Sequence, residues 1–247
     1  MKLLIDGDIV AYRIASACEE AVKWEDDLWT LHCDANEVKT EIDNYFSWLN
    51  ELITEATGRM TIALTGKENF RKDVSPLYKA NRENTRKPVC LKAARQHMID
   101  NYDVRIYENI EADDILSMFA SDDTIIVSPD KDLRQVPGYH FIDGNLKKLE
   151  EDECLRWFYT QTLVGDTADN YKGCPGVGPV KAERLLTPSD GGSSHNYWMW
   201  KKIVGAYEKA GLTEEDALEN ARLAYLLKDG DYNYETKEVT LWQPPTQ

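Results

Sequence analysis

The sequence predicts an α/β protein, a mostly parallel sheet flanked by helices, with a helical region following it. Three observations carry this. Leu3-Leu4-Ile5, Thr61-Ile62-Ala63-Leu64, Val104-Arg105-Ile106-Tyr107 and Thr124-Ile125-Ile126-Val127 are short aliphatic or β-branched runs separated by helical patterns, and that alternation implies parallel strands. Beyond about residue 150 the pattern changes to helices joined by loops. The 247 residues are 42% hydrophobic and 30% charged, which supports a sizeable buried core and excludes disordered and collagen-like chains.

Taken in order, Met1 to Ile5 reads as the first strand and turns acidic at Asp6, without the apolar stretch of a leader peptide. Val38, Ile42, Tyr45, Leu49, Leu52 and Ala56 recur at steps of three and four, the period of an amphipathic helix covering one face of the sheet. The last two strands lie on either side of a helix opened by Glu111, Asp113 and Asp114. Four further helices are expected at Glu151–Leu163, Val180–Leu186, Tyr197–Ala210 and after Thr213, whose Asp216 stands three residues on as in a capping box. Residues 187–196, rich in Gly and Ser, read as a flexible surface loop. The expected division is 1–150 for the α/β part and 151–247 for the helical part.

No apolar run approaches the roughly 20 residues that span a bilayer. The five cysteines are odd in number and contain no Cys-x-x-Cys pair, which argues against a disulfide framework and a zinc site. His32, His97, His140 and His195 show no ligand spacing, and neither a Gly-x-Ser-x-Gly elbow nor a Gly-Lys-Ser/Thr phosphate loop occurs. The net charge is −15, ordinarily unfavourable for a nucleic-acid partner. It is unevenly spread: residues 67–95 carry nine Lys or Arg against three acids. Such a run is either a solvated surface or a phosphate-contacting element.

In open parallel sheets, ligands gather at the carboxyl ends of the strands. Here those ends are acidic. Asp6 and Asp8 follow the first strand, Glu111, Asp113 and Asp114 follow Tyr107, and Asp130 and Asp132 follow Val127. Asp166 and Asp169 are spaced i, i+3, so a helical turn would point both the same way. Each group alone is equally an ordinary turn or a helix start. Converging carboxylates repel one another, and a bound divalent cation relieves that repulsion. Oxygen ligands without His or Cys suit magnesium or manganese, and two ions about 4 Å apart suit phosphodiester hydrolysis. Gly173-Cys174-Pro175-Gly176-Val177-Gly178-Pro179-Val180-Lys181 is either a glycine-rich connector or a hairpin offering backbone N–H groups and a helix N-terminus to a phosphate.

With Leu4-Ile5-Asp6-Gly7-Asp8, Tyr78-Lys79-Ala80-Asn81-Arg82, Glu111-Ala112-Asp113-Asp114, Ser128-Pro129-Asp130-Lys131-Asp132-Leu133 and Gly165-Asp166-Thr167-Ala168-Asp169-Asn170 in the right order and spacing, the chain resembles the flap endonuclease and 5′-to-3′ exonuclease superfamily. Its tail resembles the small exonucleases of short-tailed bacteriophages. The resemblance implies a structure-specific 5′ nuclease acting on DNA 5′ ends, flaps and RNA primers paired to DNA, as a cytoplasmic monomer in an infected bacterial host. Asp6, Glu111, Asp113, Asp114 and Asp130 would hold a first Mg2+ or Mn2+, and Asp132, Asp166 and Asp169 a second. Lys79 and Arg82 would stabilise charge at the scissile phosphate. Arg71, Lys72, Arg86 and Lys87 would belong to a gateway for the 5′ end. Gly173, Gly176, Gly178 and Lys181 would form a helix-three-turn-helix on the duplex backbone, with K+ in some relatives. In relatives an aspartate stands where this chain has Gly66. Either Asp8 or Glu68 compensates, or the chain is an impaired, DNA-structure-binding form.

Overall fold

The computed structural model describes residues 1–187 and 196–246; the expected loop at 187–196 falls almost wholly outside them. In chain order the elements are β1 (Lys2–Asp6), α1 (Gly7–Ala17), β2 (Glu19–Lys23), β3 (Trp29–Cys33), α2 (Ala35–Leu52), β4 (Met60–Ala63), α3 (Arg71–Val74), α4 (Leu91–Asn101), β5 (Val104–Arg105), α5 (Ala112–Phe119) and β6 (Thr124–Val127). They continue with β7 (Gly138–Ile142), β8 (Asn145–Leu149), α6 (Glu151–Val164), β9 (Gly165–Asp166), β10 (Tyr171–Lys172), α7 (Pro179–Leu186), α8 (Asn196–Lys209) and α9 (Glu214–Ala224).

These elements form two compact units. One comprises Met1–Gly66, Arg86–Pro129 and Tyr139–Lys147; the other comprises Lys67–Thr85, Asp130–Gly138 and Lys148 to the C-terminal end. The single cut expected near residue 150 is replaced by an interleaved division, because half of the basic segment and the stretch after Pro129 belong to the helical unit.

The first unit is built on a six-stranded sheet of order β5-β4-β1-β6-β7-β8. β1 pairs in parallel with β4, Leu3 opposite Met60, and with β6, Leu3 opposite Ile125. β4–β5 and β6–β7 are also parallel. Leu3, Leu4 and Ile5 are all buried, as a central parallel strand covered on both faces requires. Asp143 and Gly144, both at positive φ, make the two-residue turn between β7 and β8. In α2, Val38, Ile42, Phe46 and Leu49 are buried. The expected stripe differs at its end: Leu52 is exposed, and the helix stops there because Ile53 takes an extended conformation and turns inward. The hairpin β2–β3 adds to the expected elements: Trp29 to Cys33 alternates apolar and polar residues, whereas Glu19 to Lys23 does not.

The helical unit packs Phe158, Tyr159, Leu163, Trp200, Ile203, Tyr207 and Ala221 into its own core. Helices α6 to α9 fall within one or two residues of the expected ranges. Thr213 accepts from Asp216 N and the Asp216 carboxylate accepts from Thr213 N, the reciprocal pair of a capping box. All five cysteines are free thiols, and no helix among the described residues is long and apolar enough to cross a membrane.

Candidate functional site

In the sheet unit, Asp6 ends β1 and caps α1, accepting from Ile9 N at 3.1 Å and from the Ser128 hydroxyl at 3.0 Å. Burial to 3% exposure is tolerated because both donors satisfy the carboxylate. Glu111 caps α5, and Asp114 completes a capping box by accepting from Glu111 N at 3.1 Å. Asp113 lies in the same first turn. The helix-start reading of these residues is realised, since a helix N-terminus favours carboxylates.

Thr65 joins these parts. Its N–H donates to Asp8 at 2.8 Å, its hydroxyl accepts from Ala112 N at 3.1 Å, and its carbonyl accepts from Arg95 at 2.8 Å. Arg95 also forms an ion pair with Asp8. Asp8 is thereby committed to holding the backbone and an arginine, and Glu68 is exposed. Around Gly66 the backbone is crowded: a Cβ there would lie 2.2 Å from the Tyr107 carbonyl oxygen and 3.3 Å from Glu108 Cα. Glycine is present because the backbone of the Tyr107–Glu108 segment occupies that space.

In the helical unit, Asp130 caps the 3₁₀ turn Lys131–Gln135 by accepting from Asp132 N at 2.8 Å. Lys131 bridges Asp132, at 2.7 Å, and Asp166. Asp166 accepts from Ala168 N at 2.6 Å and from Asp169 N at 3.3 Å. The i, i+3 pair thus sits in a hydrogen-bonded turn after β9 rather than in a helix. Asp169 accepts from Tyr78 at 2.9 Å and from Arg82 at 2.5 Å, with Lys79 Nζ at 3.6 Å. Lys79 has a φ of +55°, an uncommon conformation for a side-chain-bearing residue, held by its N–H to Asp169 O at 2.9 Å.

The two carboxylates that share Lys131 titrate in opposite directions. Burial, reinforced by Asp130, raises the pKa of Asp132 despite the lysine. Burial also acts to raise that of Asp166, but the lysine and two backbone N–H donors outweigh it and lower the value. Among the described residues no three His, Cys, Asp or Glu side chains are drawn into a ready metal cage. Basic side chains take part instead, Lys131, Lys79 and Arg82 in this unit and Arg95 in the other. The donor set is all carboxylate oxygen, which suits a hard cation, and the ammonium of Lys131 lies between Asp132 and Asp166.

The basic residues divide by environment. Arg71 does not face solvent: it is 1% exposed, stacks on Phe70 at 4.6 Å and donates to the carbonyls of Leu223 at 3.0 Å and Tyr225 at 2.6 Å. It ties α3 to the end of α9, so its expected phosphate-binding role is withdrawn. Arg71→Ala removes the hydrogen bonds to the Leu223 and Tyr225 carbonyls and is expected to lower stability by about 3 kcal/mol, read by denaturant unfolding, with no change in the salt dependence of DNA binding. Arg86 is engaged by Glu19 through two bonds of 2.7 Å, which neutralises much of its charge. Lys72 and Lys87 are exposed.

In the hairpin, a Cβ on Gly173 would meet Leu163 O at 2.3 Å. This glycine is needed for backbone contact across the short β9–β10 sheet rather than for a ligand. Gly176, at φ +71°, and Gly178 have open space around them, while buried Val177 anchors the loop between them. Pro179 begins α7, a favoured first helical residue. Exposed Lys181 donates to Gly176 O at 3.1 Å.

A mostly parallel sheet with carboxylates at its strand ends, and a second carboxylate set laced with lysine and arginine, defines a hydrolase of the nuclease type. Residues 1–157 match the family described as 5′-3′ exonuclease, N-terminal resolvase-like domain, and the chain belongs to that family. It is 28% identical to the exonuclease of Escherichia phage T7 over 98% of this chain and 93% of that one. Against the exodeoxyribonuclease of Enterobacteria phage T3 it is 27% identical, covering 98% and 92%. Its fold is similar to that of the bacteriophage T5 flap endonuclease, in a structure with DNA and metal ions, with a TM-score of 0.68 at 16% identity, covering 91% of this chain and 89% of that one.

Proposed function

We propose that this chain is a magnesium- or manganese-dependent 5′-to-3′ exonuclease and flap endonuclease that hydrolyses phosphodiester bonds of DNA, and of RNA paired to DNA, at 5′ ends and flaps. The observation that carries the reading is the knot of Asp130, Asp132, Asp166 and Asp169 with Lys131, Lys79 and Arg82, in a chain of this family. In this reading Asp130, Asp132, Asp166 and Asp169 are metal ligands in the helical unit, and Asp6, Glu111, Asp113 and Asp114 are metal ligands in the sheet unit. Bound divalent ions would supply Lewis acidity and a water nucleophile usable at neutral pH.

The chain's own residues do the rest. Capping bonds orient Asp6, Asp130 and Asp166, so little reorganisation is needed when a cation arrives. Lys79 and Arg82, held against Asp169, present positive charge where a phosphate gains negative charge. None of the basic residues is placed to read base edges in this reading, so recognition is of backbone and 5′ ends rather than of sequence. The test is cleavage of a flap substrate labelled at each end, with and without magnesium. Metal-dependent products released from the 5′ side support the proposal; products from the 3′ side, or unchanged cleavage in EDTA, overturn it.

The loop Gly176–Gly178 with Lys181 is assigned to the duplex backbone. Lys181→Ala is expected to weaken duplex binding and to make the slope of log affinity against log salt shallower by about one, whatever the sequence. An unchanged slope would show that Lys181 touches no phosphate.

A further inference from the structure

Two buried glutamines, outside every motif considered above, form a directed hydrogen-bond chain inside the helical unit. Leu226 N donates to Gln135 Oε1 at 3.0 Å, and Gln135 Nε2 donates to Ala224 O at 2.8 Å and to Gln161 Oε1 at 3.2 Å. Gln161 Nε2 then donates to Asp132 Oδ1 at 2.6 Å. The direction is fixed from its origin. A backbone N–H only donates and a carbonyl only accepts, so the two backbone groups determine which end of the Gln135 amide is oxygen. The Gln135 amide in turn fixes that of Gln161. The chain can end only with an N–H aimed at a carboxylate, a charge-assisted bond in a partly buried site. Gln135 and Gln161 are 4% and 6% exposed.

Lys131 donates to the same oxygen, Asp132 Oδ1, at 2.7 Å. Among the described residues Oδ2 receives no hydrogen bond. Lys131 is a solvent-reaching side chain that any divalent cation at Asp132 and Asp166 displaces by charge, whereas Gln161 is neutral, buried and anchored through Gln135 to the segment after α9.

We infer that Gln161 is a positioning residue: held by Gln135, it fixes Asp132 Oδ1 and presents Oδ2 to the divalent cation. This rests on the proposed role of Asp132 as a ligand. Partners that orient a ligating group are worth about ten- to a hundredfold in metal affinity.

The test is a titration of the full chain with Mn2+, without DNA, following unbound ion by electron paramagnetic resonance. Gln161→Met keeps the volume and removes the donor; it should weaken Mn2+ binding about tenfold while DNA affinity in calcium changes less than about twofold. Gln161→Glu still accepts from Gln135 but sets a second carboxylate against Asp132, and should weaken Mn2+ binding further. Gln135→Met, which releases the Gln161 amide, should move in the same direction. In cleavage, kcat at limiting magnesium should fall and recover at high magnesium, with KM for DNA unchanged. A purely structural defect would lower DNA affinity and resist recovery by metal. If Asp132→Ala weakens Mn2+ binding but both Gln161 variants bind it as the parent does, the positioning role is overturned. If Asp132→Ala itself leaves Mn2+ binding unchanged, the ligand assignment beneath it fails instead. Should Gln161→Met not fold, Gln161→Glu and Gln135→Met decide the question by the same reading.

Discussion

Asp166→Ala is expected to reduce magnesium-dependent cleavage by at least about a thousandfold while DNA affinity in calcium stays within about twofold. Asp166 links every part of the helical unit's acidic knot: Lys131 reaches it, and the Ala168 and Asp169 N–H groups close the turn onto it. Truncation removes a proposed ligand and also loosens the turn that carries Asp169. The two effects separate with Asp166→Asn, which keeps an acceptor for both N–H groups but loses the charge. If ligation is the role, Asp166→Asn loses nearly as much activity as Asp166→Ala while retaining most of the stability. Asp130→Ala should lose activity in the same way. DNA affinity holds or rises in all three, because a negative charge near the phosphate is gone. Binding that falls in step with cleavage would show that Asp166 shapes the DNA surface and holds no cation.

What the sequence made legible, and what it did not, follows from the range of the interactions. Leu3 to Ile5 declared itself a central strand because burial on both faces demands an unbroken apolar run, and Thr213 with Asp216 declared a helix start because the capping pair is local. Partners distant in sequence left no such mark. Arg71 sits in a basic run yet is consumed by carbonyls at the end of α9, and Arg86 is consumed by Glu19, 67 positions away; composition cannot distinguish these from exposed Lys72 and Lys87. Gln135 and Gln161 are polar residues with no motif, and only the fold shows that their amides terminate on Asp132. The β7–β8 turn, by contrast, carries a local signal in Asp143-Gly144.

Gly66 shows how a family pattern and local sterics can point in opposite directions. The resemblance suggests that an aspartate there would restore a ligand and raise cleavage. The structure predicts the reverse. The Tyr107 carbonyl oxygen lies 2.2 Å from where any Cβ would be, and Gly66 N donates to Ile110 O at 3.3 Å, so the glycine is clasped on both sides by the segment that leads into α5. A Cβ must push that backbone away, and backbone does not yield as a side chain's end does; such overpacking costs about 1–3 kcal/mol. The displacement passes directly to function. Neighbouring Thr65 holds Asp8, Arg95 and the first turn of α5, and Glu111, Asp113 and Asp114 follow within that turn, so a shift of about 1 Å can cost roughly a hundredfold in rate. Gly66→Ala is therefore expected to lower the melting temperature by roughly 2–4 °C for each kcal/mol lost and to depress cleavage even at saturating magnesium. Gly66→Asp, which meets the same carbonyl, should do no better than Gly66→Ala. Thermal melts and magnesium titrations of the two variants decide the matter: an aspartate form that melts with the parent and cleaves faster would mean that the Tyr107–Glu108 segment gives way easily and that position 66 is a ligand position after all.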